Sequence, residues 1–520
     1  MASVGPDHAV SFRKTRSGAI FSPWGAQVGA PLHAPADFDL ETNVRQAIER
    51  EDARRARGAE EEDDILQRDG DDQELPPPST QALASLAILQ NMTRSGPPST
   101  PNGGNDTRTK EKYHSANRTK KRRLAKQRAV SERAGATGIA KKTPKQAALK
   151  RLQAVEALAA SAASDVDVAL SLAADAASTS LAGAAPPIPT DYSLAMKDVP
   201  VAKTAYVAKR DISADVDKRI YTKEELLAQG FEYIPWNGVD PRTILDKTGR
   251  VIAVLVGQPR SENWGGINDE MQTVMELARE AYQAPAKQQD HRRGAFTVAT
   301  SGISFGGGQT HVKNMAHSSH NQAVMDALLK QLPVIRVAKF GSRALQLFAP
   351  QLHDYYEETM QALCNEDDGL VRNFEDVPFA NATFNLGPRC VCIPHNDHLN
   401  VAWGMCAITA FGDYNPVVSA HLVLWQYRMV VEFPPASTVL IMSAVLTHGN
   451  TAIREDEHRY SFTQYSVGGL FRWVDSGHRT VSSLPRVPAD RAAEEGAERW
   501  KRGVEMLSVW EELKDRAAGH

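Results

Sequence analysis

The chain contains few cysteines and no long apolar run, and its first 200 residues contain almost no aromatic side chains. Its 520 residues include four cysteines and no CxxC spacing, which argues against a disulfide scaffold and a four-cysteine zinc site. No segment approaches the roughly 20 consecutive apolar residues that span a bilayer, so we expect no membrane partner. The first 33 residues are mixed polar without an apolar stretch. We therefore expect no secretory signal.

The aromatic side chains are distributed unevenly. Of 35 Phe, Trp and Tyr residues, six precede residue 200 and 29 follow it. Because aromatic side chains supply much of the buried area of a core, residues 1–200 are predicted to be a long disordered N-terminal region. At about 150 residues per domain the length allows two or three domains. We predict one large domain over residues 201–480, followed at 481–520 by a C-terminal helix that packs on it.

A formal net charge of −3 conceals a segregation of charge. Nine acidic residues lie between positions 60 and 74, and sixteen Lys and Arg accompany only two acidic residues in the basic block 108–151. Charge runs of this kind are often solvated tails. The alternative is that the densest part of the block serves nuclear import or binding to nucleic acid phosphates. That part comprises Lys120, Lys121, Arg122, Arg123, Lys126 and Arg128. On this alternative the protein is nuclear.

Beyond residue 200 the pattern predicts helices first and strands second. Caps and periodicity predict helices over Tyr221–Gly230, Asn268–Tyr282, Asn321–Leu332 and Ser342–Leu363, with strands at Phe231–Trp236, Val251–Val256 and Val334–Phe340. Further strands are predicted over Ala382–Leu386, Arg389–Ile393, Met405–Phe411, His421–Trp425, Met429–Phe433, Thr438–Met442 and Tyr460–Gly468. A last helix is predicted over Pro488–Arg516. This order favours an α+β domain built on a β-sandwich or barrel.

The strand-rich part contains residues that are typical of an iron site. His395 and Asp397 form an HxD motif, which alone is weak because about one is expected by chance. His448 follows Asp397 by 51 residues, which is enough chain for several strands of a jelly roll. Two imidazoles and one carboxylate on one face of Fe(II) leave three positions for a chelating 2-oxo acid and O₂. We therefore predict that His395, Asp397 and His448 bind Fe(II).

The strand that follows His448 has a polar face. Strand alternation places four residues on that face: Arg459, Ser461, Thr463 and Tyr465. The planar guanidinium of Arg459 suits the far carboxylate of 2-oxoglutarate. The alternative is an ordinary half-buried strand, with Tyr460 and Phe462 inward and the polar face in solvent.

Several sequence blocks resemble the TET/JBP family, whose members are Fe(II)/2-oxoglutarate dioxygenases that oxidise the methyl group of a pyrimidine in DNA. The similar blocks are His395–Asn400, Cys406–Ala410, His421–Trp425, Glu432–Pro435, Thr447–Thr451 and Arg459–Trp473. The residues in these blocks are most similar to those of a fungal, transposon-associated branch of the family. The resemblance covers roughly residues 220–480 and is densest between 380 and 475.

The resemblance implies a fold, cofactors and site residues. The fold is a double-stranded β-helix, or jelly roll, with flanking helices, and the cofactors are Fe(II), 2-oxoglutarate and O₂. The residues that would hold 2-oxoglutarate are Arg459 and Ser461, with His421 as a further contact. Asn400 would lie close to the target base in DNA, and Tyr465 would stack on that base after it has flipped out of the duplex. The implied reaction converts 5-methylcytosine to 5-hydroxymethylcytosine and onward.

Two alternatives from other classes remain open. In the first, the same iron chemistry acts on a protein, an RNA or a small molecule, because the triad and the arginine are common to the whole superfamily. In the second, the domain is a non-catalytic DNA-binding module. An intact triad argues against the second alternative, and the TET/JBP-like blocks with the basic block favour DNA over the first.

Overall fold

The computed structural model describes residues 13–14, 20–21, 143–162, 181, 184–210, 216–306, 309–480, 483–484 and 489–518. The chain divides into two compact units, of which the first holds residues 1–58 and 72–140. Its described residues form one antiparallel pair, β1 (Arg13–Lys14) with β2 (Ile20–Phe21). The remaining elements belong to the second unit. Most of the region predicted to be disordered, with most of the basic block, lies outside the described residues.

The second unit combines helices and strands. Its described helices are α1 (Pro144–Ala162), α2 (Lys223–Ala228), α3 (Ile267–Ala281), α4 (Ser319–Leu329), α5 (Leu332–Phe348), α6 (Pro350–Glu366), α7 (Gly468–Asp475), α8 (Ala489–Glu505) and α9 (Trp510–Ala518). Its described strands are β3 (Ile188–Pro189), β4 (Glu232–Ile234), β5 (Arg242–Leu245), β6 (Val251–Gly257), β7 (Val298–Ser304), β8 (Lys313–Asn314), β9 (Asn381–Asn385), β10 (Cys406–Asp413), β11 (Leu422–Leu424), β12 (Met429–Val431), β13 (Thr438–Ile441), β14 (His448–Asn450) and β15 (His458–Tyr465). The predicted α+β class is confirmed.

The strands form a large and a small sheet. The large sheet has the order β3-β5-β6-β13-β10-β15-β9-β7-β8, and the small sheet has the order β14-β11-β12-β4. Their pairs are antiparallel except β3 with β5 and β4 with β12. Helices α3 and α5 pack on the large sheet. Both sheets have open edges, so the hydrogen bonding does not establish the jelly roll, which stays a prediction.

Helix α1 lies within the region predicted to be disordered, and here the structure differs from the prediction. The helix packs on α3 and α4. Its Leu152 side chain is fully buried, and the Leu152 carbonyl accepts a hydrogen bond of 3.1 Å from the Gln331 side chain. Ala148 is buried beside it. Small and aliphatic side chains suffice here because neighbouring helices approach closely, so a lack of aromatics does not exclude a packed helix.

We expect Leu152→Ala to lower the free energy of unfolding by about 2–5 kcal/mol, because a buried leucine leaves a cavity when it is truncated. Leu158→Ala is the matched control: it is the same substitution in the same helix, but at a side chain that is 68% exposed. Urea unfolding of the full chain measures both variants. Equal effects at the two positions would show that α1 is not part of the domain core.

One strand prediction and one helix prediction need correction. Val334–Phe340, predicted as a strand, lies inside α5, because a short apolar run with β-branched residues cannot by itself be distinguished from part of a buried helix. The predicted helix Ser342–Leu363 is broken at Ala349, which has φ −145° and ψ 64°. The cause is Pro350, because the residue before a proline avoids the helical region. The structure therefore has two helices, α5 and α6.

The C-terminal segment also differs in detail from its prediction. The single helix predicted over Pro488–Arg516 is replaced by α8 and α9. Trp500, Leu507 and Trp510 are each at most 5% exposed and belong to the main core, as their helical spacing predicted. The segment Arg389–Ile393, predicted as a strand, contains only an isolated bridge from Arg389 to Arg459. Among the described helices, none has both the length and the apolar character needed to cross a membrane.

Candidate metal centre

A pair of backbone hydrogen bonds places two histidines side by side. The His395 amide donates to the His448 carbonyl at 3.0 Å, and the His448 amide donates to the His395 carbonyl at 2.8 Å. This bridge fastens the HxD segment to β14 of the small sheet, and the two imidazole rings lie 4.3 Å apart between centroids. The Asp397 amide donates to the Ser443 carbonyl at 2.9 Å. Backbone pairing thus brings together two histidines that are 53 positions apart in sequence.

Both imidazoles are oriented by backbone carbonyls. His395 Nδ1 lies 2.8 Å from the Ile393 carbonyl, and His448 Nδ1 lies 2.9 Å from the Leu446 carbonyl. A ring that donates from Nδ1 to a carbonyl keeps its Nε2 lone pair for a metal. The two Nε2 atoms lie 3.9 and 3.8 Å from the Asp397 carboxylate. The three ligand atoms are all within 4.8 Å of one another.

The electrostatics of the trio also suit a metal. Burial lowers the pKa of His395 well below its ordinary value, reinforced by His448, and burial lowers the pKa of His448 as well. Both rings are therefore neutral at pH 7. Burial alone would raise the pKa of Asp397, but Arg293, the two histidines and Arg292 hold that pKa well below its usual range. The site therefore presents two neutral imidazoles and one ionised carboxylate.

These residues fit Fe(II). Asp397 Oδ1 is buried and accepts no hydrogen bond from the described residues, so a carboxylate oxygen is left for a cation. Two imidazole nitrogens and one carboxylate in a facial arrangement are the ligand set of non-heme Fe(II) oxygenases, with other coordination positions left open. Among the described residues, this is the one group of three or more His, Cys, Asp or Glu side chains arranged to hold a metal.

The trio lies in a cleft between the two sheets. The cleft encloses about 450 Å³ of empty space, part of which is open to solvent. The small sheet contributes Leu422, His448 and Asn450 to its wall. The large sheet contributes Asn385, Ile408, Arg459, Ser461 and Thr463. A ligand in this cleft would therefore contact the trio and Arg459 together.

Arg459 is a buried cation without an acidic partner. Its side chain is among the largest that are fully buried. One guanidinium nitrogen donates to the Cys390 carbonyl at 2.9 Å, whereas the buried Nε atom has no hydrogen-bond partner. No carboxylate of the described residues lies within 4.0 Å of the guanidinium. A buried charge is costly unless it is paired, so this arginine calls for an anionic ligand.

Both faces of β15 are buried, and the polar face is the one in the cleft. Arg459, Ser461 and Thr463 line the cleft. Tyr460 and Phe462 point the other way: the Tyr460 hydroxyl donates to Glu276 of α3 at 3.2 Å, and Phe462 packs on Phe384. The alternative considered for this strand, a solvent-exposed polar face, does not describe the structure.

His421 does not line the cleft, whereas its neighbour Leu422 does. Its ring is fully buried, with Nδ1 2.8 Å from the Thr451 hydroxyl and Nε2 3.2 Å from the Val417 carbonyl. Both ring nitrogens are therefore occupied within the protein. The structure does not bring His421 to the position that the resemblance implies, because it is the next residue, Leu422, that lines the cleft.

The burial of His421 predicts acid sensitivity of the fold. Burial lowers its pKa to about 4, whereas an unfolded histidine titrates near 6.5. Between those values the unfolded state binds a proton that the native state does not, so stability falls as the pH is lowered from 6.5 towards 4. In His421→Gln, the drop in unfolding free energy from pH 7 to pH 5 should be smaller by about 2 kcal/mol.

Urea unfolding at the two pH values measures this difference. The control is His311→Gln, which makes the same substitution at an exposed histidine. An unaltered pH dependence in His421→Gln would show that the His421 ring is not held neutral in the folded protein.

The two residues implied to bind the base lie next to the cleft wall. The Asn400 amide nitrogen donates to the Ser443 hydroxyl at 3.0 Å, and its Oδ1 is buried without a hydrogen bond from the described residues. Tyr465 continues the polar face of β15 beyond Thr463. Its hydroxyl lies 3.4 Å from the Thr383 hydroxyl, and its side chain is 5% exposed.

Three residues near the trio carry no signal in the sequence analysis. Arg292 and Arg293 approach Asp397 Oδ1 to 3.7 and 3.9 Å, from a loop about 100 residues earlier in the chain. The loop is held to the HxD segment, because the Ile393 amide donates to the Arg293 carbonyl at 2.9 Å. Asn385 enters the cleft from β9.

No protein-family model and no curated protein matches the chain. Solved structures do match, among them NgTET1 in complex with 5mC DNA. That alignment has 13% sequence identity and a TM-score of 0.31, and it covers 48% of this chain and 92% of the other. A TM-score of this size establishes neither a shared fold nor a shared activity.

Proposed function

We propose that the chain is an Fe(II)/2-oxoglutarate-dependent dioxygenase that oxidises the methyl group of a pyrimidine base in DNA, converting 5-methylcytosine to 5-hydroxymethylcytosine and onward. One observation carries the iron chemistry: a buried His-Asp-His trio and the unpaired cation Arg459 share one cleft. The trio suits Fe(II), and a buried guanidinium without an acid suits the far carboxylate of a 2-oxo dicarboxylate. The jelly roll belongs to the same proposal.

Each residue has a role in this proposal. His395 and His448 would hold the iron through Nε2, and Asp397 would hold it through its carboxylate. When bound, iron with 2-oxoglutarate and O₂ would supply the oxidation of the methyl group. Arg459 would pair with the far carboxylate of 2-oxoglutarate, beside the Ser461 hydroxyl. The carbonyls of Ile393 and Leu446 keep the imidazoles in the metal-binding tautomer.

The DNA substrate is supported by the TET/JBP-like blocks and by the basic block 108–151. A methyl group in the major groove cannot reach a buried metal, so the base would have to leave the duplex. Tyr465 would then stack on the flipped base. The side-chain oxygen of Asn400, Oδ1, which has no hydrogen bond from the described residues, would accept a hydrogen bond from the edge of that base. The basic block would bind phosphates and direct the protein to the nucleus.

The test is mass spectrometry of nucleosides after incubation of a 5-methylcytosine duplex with the protein, Fe(II) and 2-oxoglutarate. We expect 5-hydroxymethylcytosine from the methylated duplex, and none without 2-oxoglutarate or with Asp397→Ala. If succinate is released with a protein, RNA or small-molecule substrate and no oxidised base forms in DNA, that substrate replaces DNA in the proposal. DNA binding with no turnover of 2-oxoglutarate on any substrate would support the non-catalytic alternative.

A further inference from the structure

Asn385 lines the cleft beside the residues proposed to bind 2-oxoglutarate. It is the last residue of β9, which pairs with β15 so that Asn385 lies directly opposite Ser461. Its side chain is 6% exposed, and it shares the cleft wall with Arg459 and Ser461. An amide, a hydroxyl and a guanidinium therefore meet on one part of the wall.

The hydrogen bond between Asn385 and Ser461 determines how Ser461 can be used. The Asn385 Nδ2 atom donates to Ser461 Oγ at 2.8 Å. A serine hydroxyl has one proton and two acceptor positions. Because Ser461 accepts from the amide, its own proton remains to be donated to a ligand. Asn385 thereby favours the orientation of Ser461 that donates to an anion.

The other end of the amide is unsatisfied. Asn385 Oδ1 is buried and has no hydrogen-bond partner among the described residues. Such a group is destabilising in the free protein. Rotation of the amide by half a turn would let Oδ1 accept the Ser461 proton and let Nδ2 donate into the cleft. In both orientations, the Asn385–Ser461 pair presents a proton to an anion near Arg459.

We infer that Asn385 is a positioning residue for the co-substrate, which acts with Ser461 to hold the far carboxylate of 2-oxoglutarate against Arg459. This inference rests on the proposed function. Arg459 supplies the charge, but it reaches the ligand from one side only. The amide and hydroxyl pair adds a neutral hydrogen-bond donor. Because a hydrogen bond is directional, this donor fixes the orientation of the carboxylate, whereas the charge of Arg459 alone would attract any anion.

The test is calorimetric titration of the full-length, Ni(II)-loaded protein with 2-oxoglutarate, in which the inert metal prevents turnover. Asn385→Ala should raise the Kd by about tenfold, the usual effect of losing a hydrogen bond to a charged group. Asn385→Asp should raise it further, because the new carboxylate would pair with Arg459 and repel the ligand. During turnover, the KM for 2-oxoglutarate should rise while kcat changes little.

The chain offers a matched control on the same strand. Asn381 is also a buried asparagine of β9 with an unsatisfied Oδ1, but its amide nitrogen donates to the Ile303 carbonyl and it does not line the cleft. Asn381→Ala should leave the Kd within about twofold of the unaltered protein. Thermal unfolding and Ni(II) stoichiometry check each variant, and the isosteric Asn385→Asp replaces Asn385→Ala if the alanine variant does not fold.

The outcomes separate this inference from the proposed function. Wild-type affinity in Asn385→Ala, or equal losses in Asn381→Ala and Asn385→Ala, would overturn the role of Asn385 alone. If the unaltered Ni(II) protein fails to bind 2-oxoglutarate, the co-substrate assignment fails and the inference fails with it. If the Ni(II) protein binds 2-oxoglutarate but the Fe(II) protein never yields an oxidised base, only the DNA assignment fails, and the Asn385 comparison still stands.

Discussion

The His448→Ala protein is expected to yield no 5-hydroxymethylcytosine and to bind Ni(II) or Fe(II) at least about 100-fold more weakly. Residues that merely orient metal ligands already contribute about 10–100-fold to affinity, and His448 would supply one of three ligand atoms directly. Its loss would leave His395 and Asp397, which offer a single imidazole and a single carboxylate. Equilibrium dialysis of the metal measures the first effect, and nucleoside mass spectrometry measures the second.

His421→Gln is the matched control for this substitution. Both histidines are buried in the small-sheet region, but both ring nitrogens of His421 are occupied by Thr451 and Val417. The control should therefore bind metal like the unaltered protein. Unchanged metal affinity in His448→Ala would remove the metal centre from the proposal, whatever happens to activity, because the affinity measurement requires no substrate.

Part of the candidate site could be predicted because two of its signals are local in sequence. His395 and Asp397 are two positions apart, and the run Arg459 to Tyr465 alternates with strand period, so both patterns are visible without the fold. The structure adds the reason that they meet: the backbone bridge between His395 and His448. Sequence spacing predicted which side chains belong to the site. Backbone pairing between distant segments is what brings those side chains together.

The residues that escaped prediction depend on long-range contacts. Asn385 reaches the cleft because β9 pairs with β15, in which Ser461 is 76 residues away. The strand predicted over Ala382–Leu386 contains Asn385 but does not indicate what its side chain faces. Part of helix α5 was mistaken for a strand because the short apolar run Val334–Phe340 is compatible with a buried strand as well as with part of a helix. The resemblance placed His421 in the cleft. Neighbouring residues of an extended segment face opposite sides, and in the structure it is Leu422 that faces the cleft.

Replacing Arg459 with methionine should separate ligand binding from stability. We expect the Kd of the Ni(II) protein for 2-oxoglutarate to rise by about 1,000-fold, since truncating one partner of a buried, hydrogen-bonded charge pair costs about 2–5 kcal/mol. Without ligand, the same variant should unfold at the same temperature as the unaltered protein, or higher. An apolar side chain of similar length removes a buried charge that no described carboxylate neutralises.

The opposite signs of these two effects identify what the charge is for. If Arg459 served mainly to hold Cys390 through its 2.9 Å hydrogen bond, Arg459→Met would lower stability and leave 2-oxoglutarate affinity nearly intact. Arg389→Gln is the control, because that guanidinium binds the carbonyls of Arg454 and Glu455 and does not line the cleft. It should keep the affinity for 2-oxoglutarate. A buried cation that destabilises the free protein, yet is required for a dianion to bind, is retained for the ligand and not for the fold.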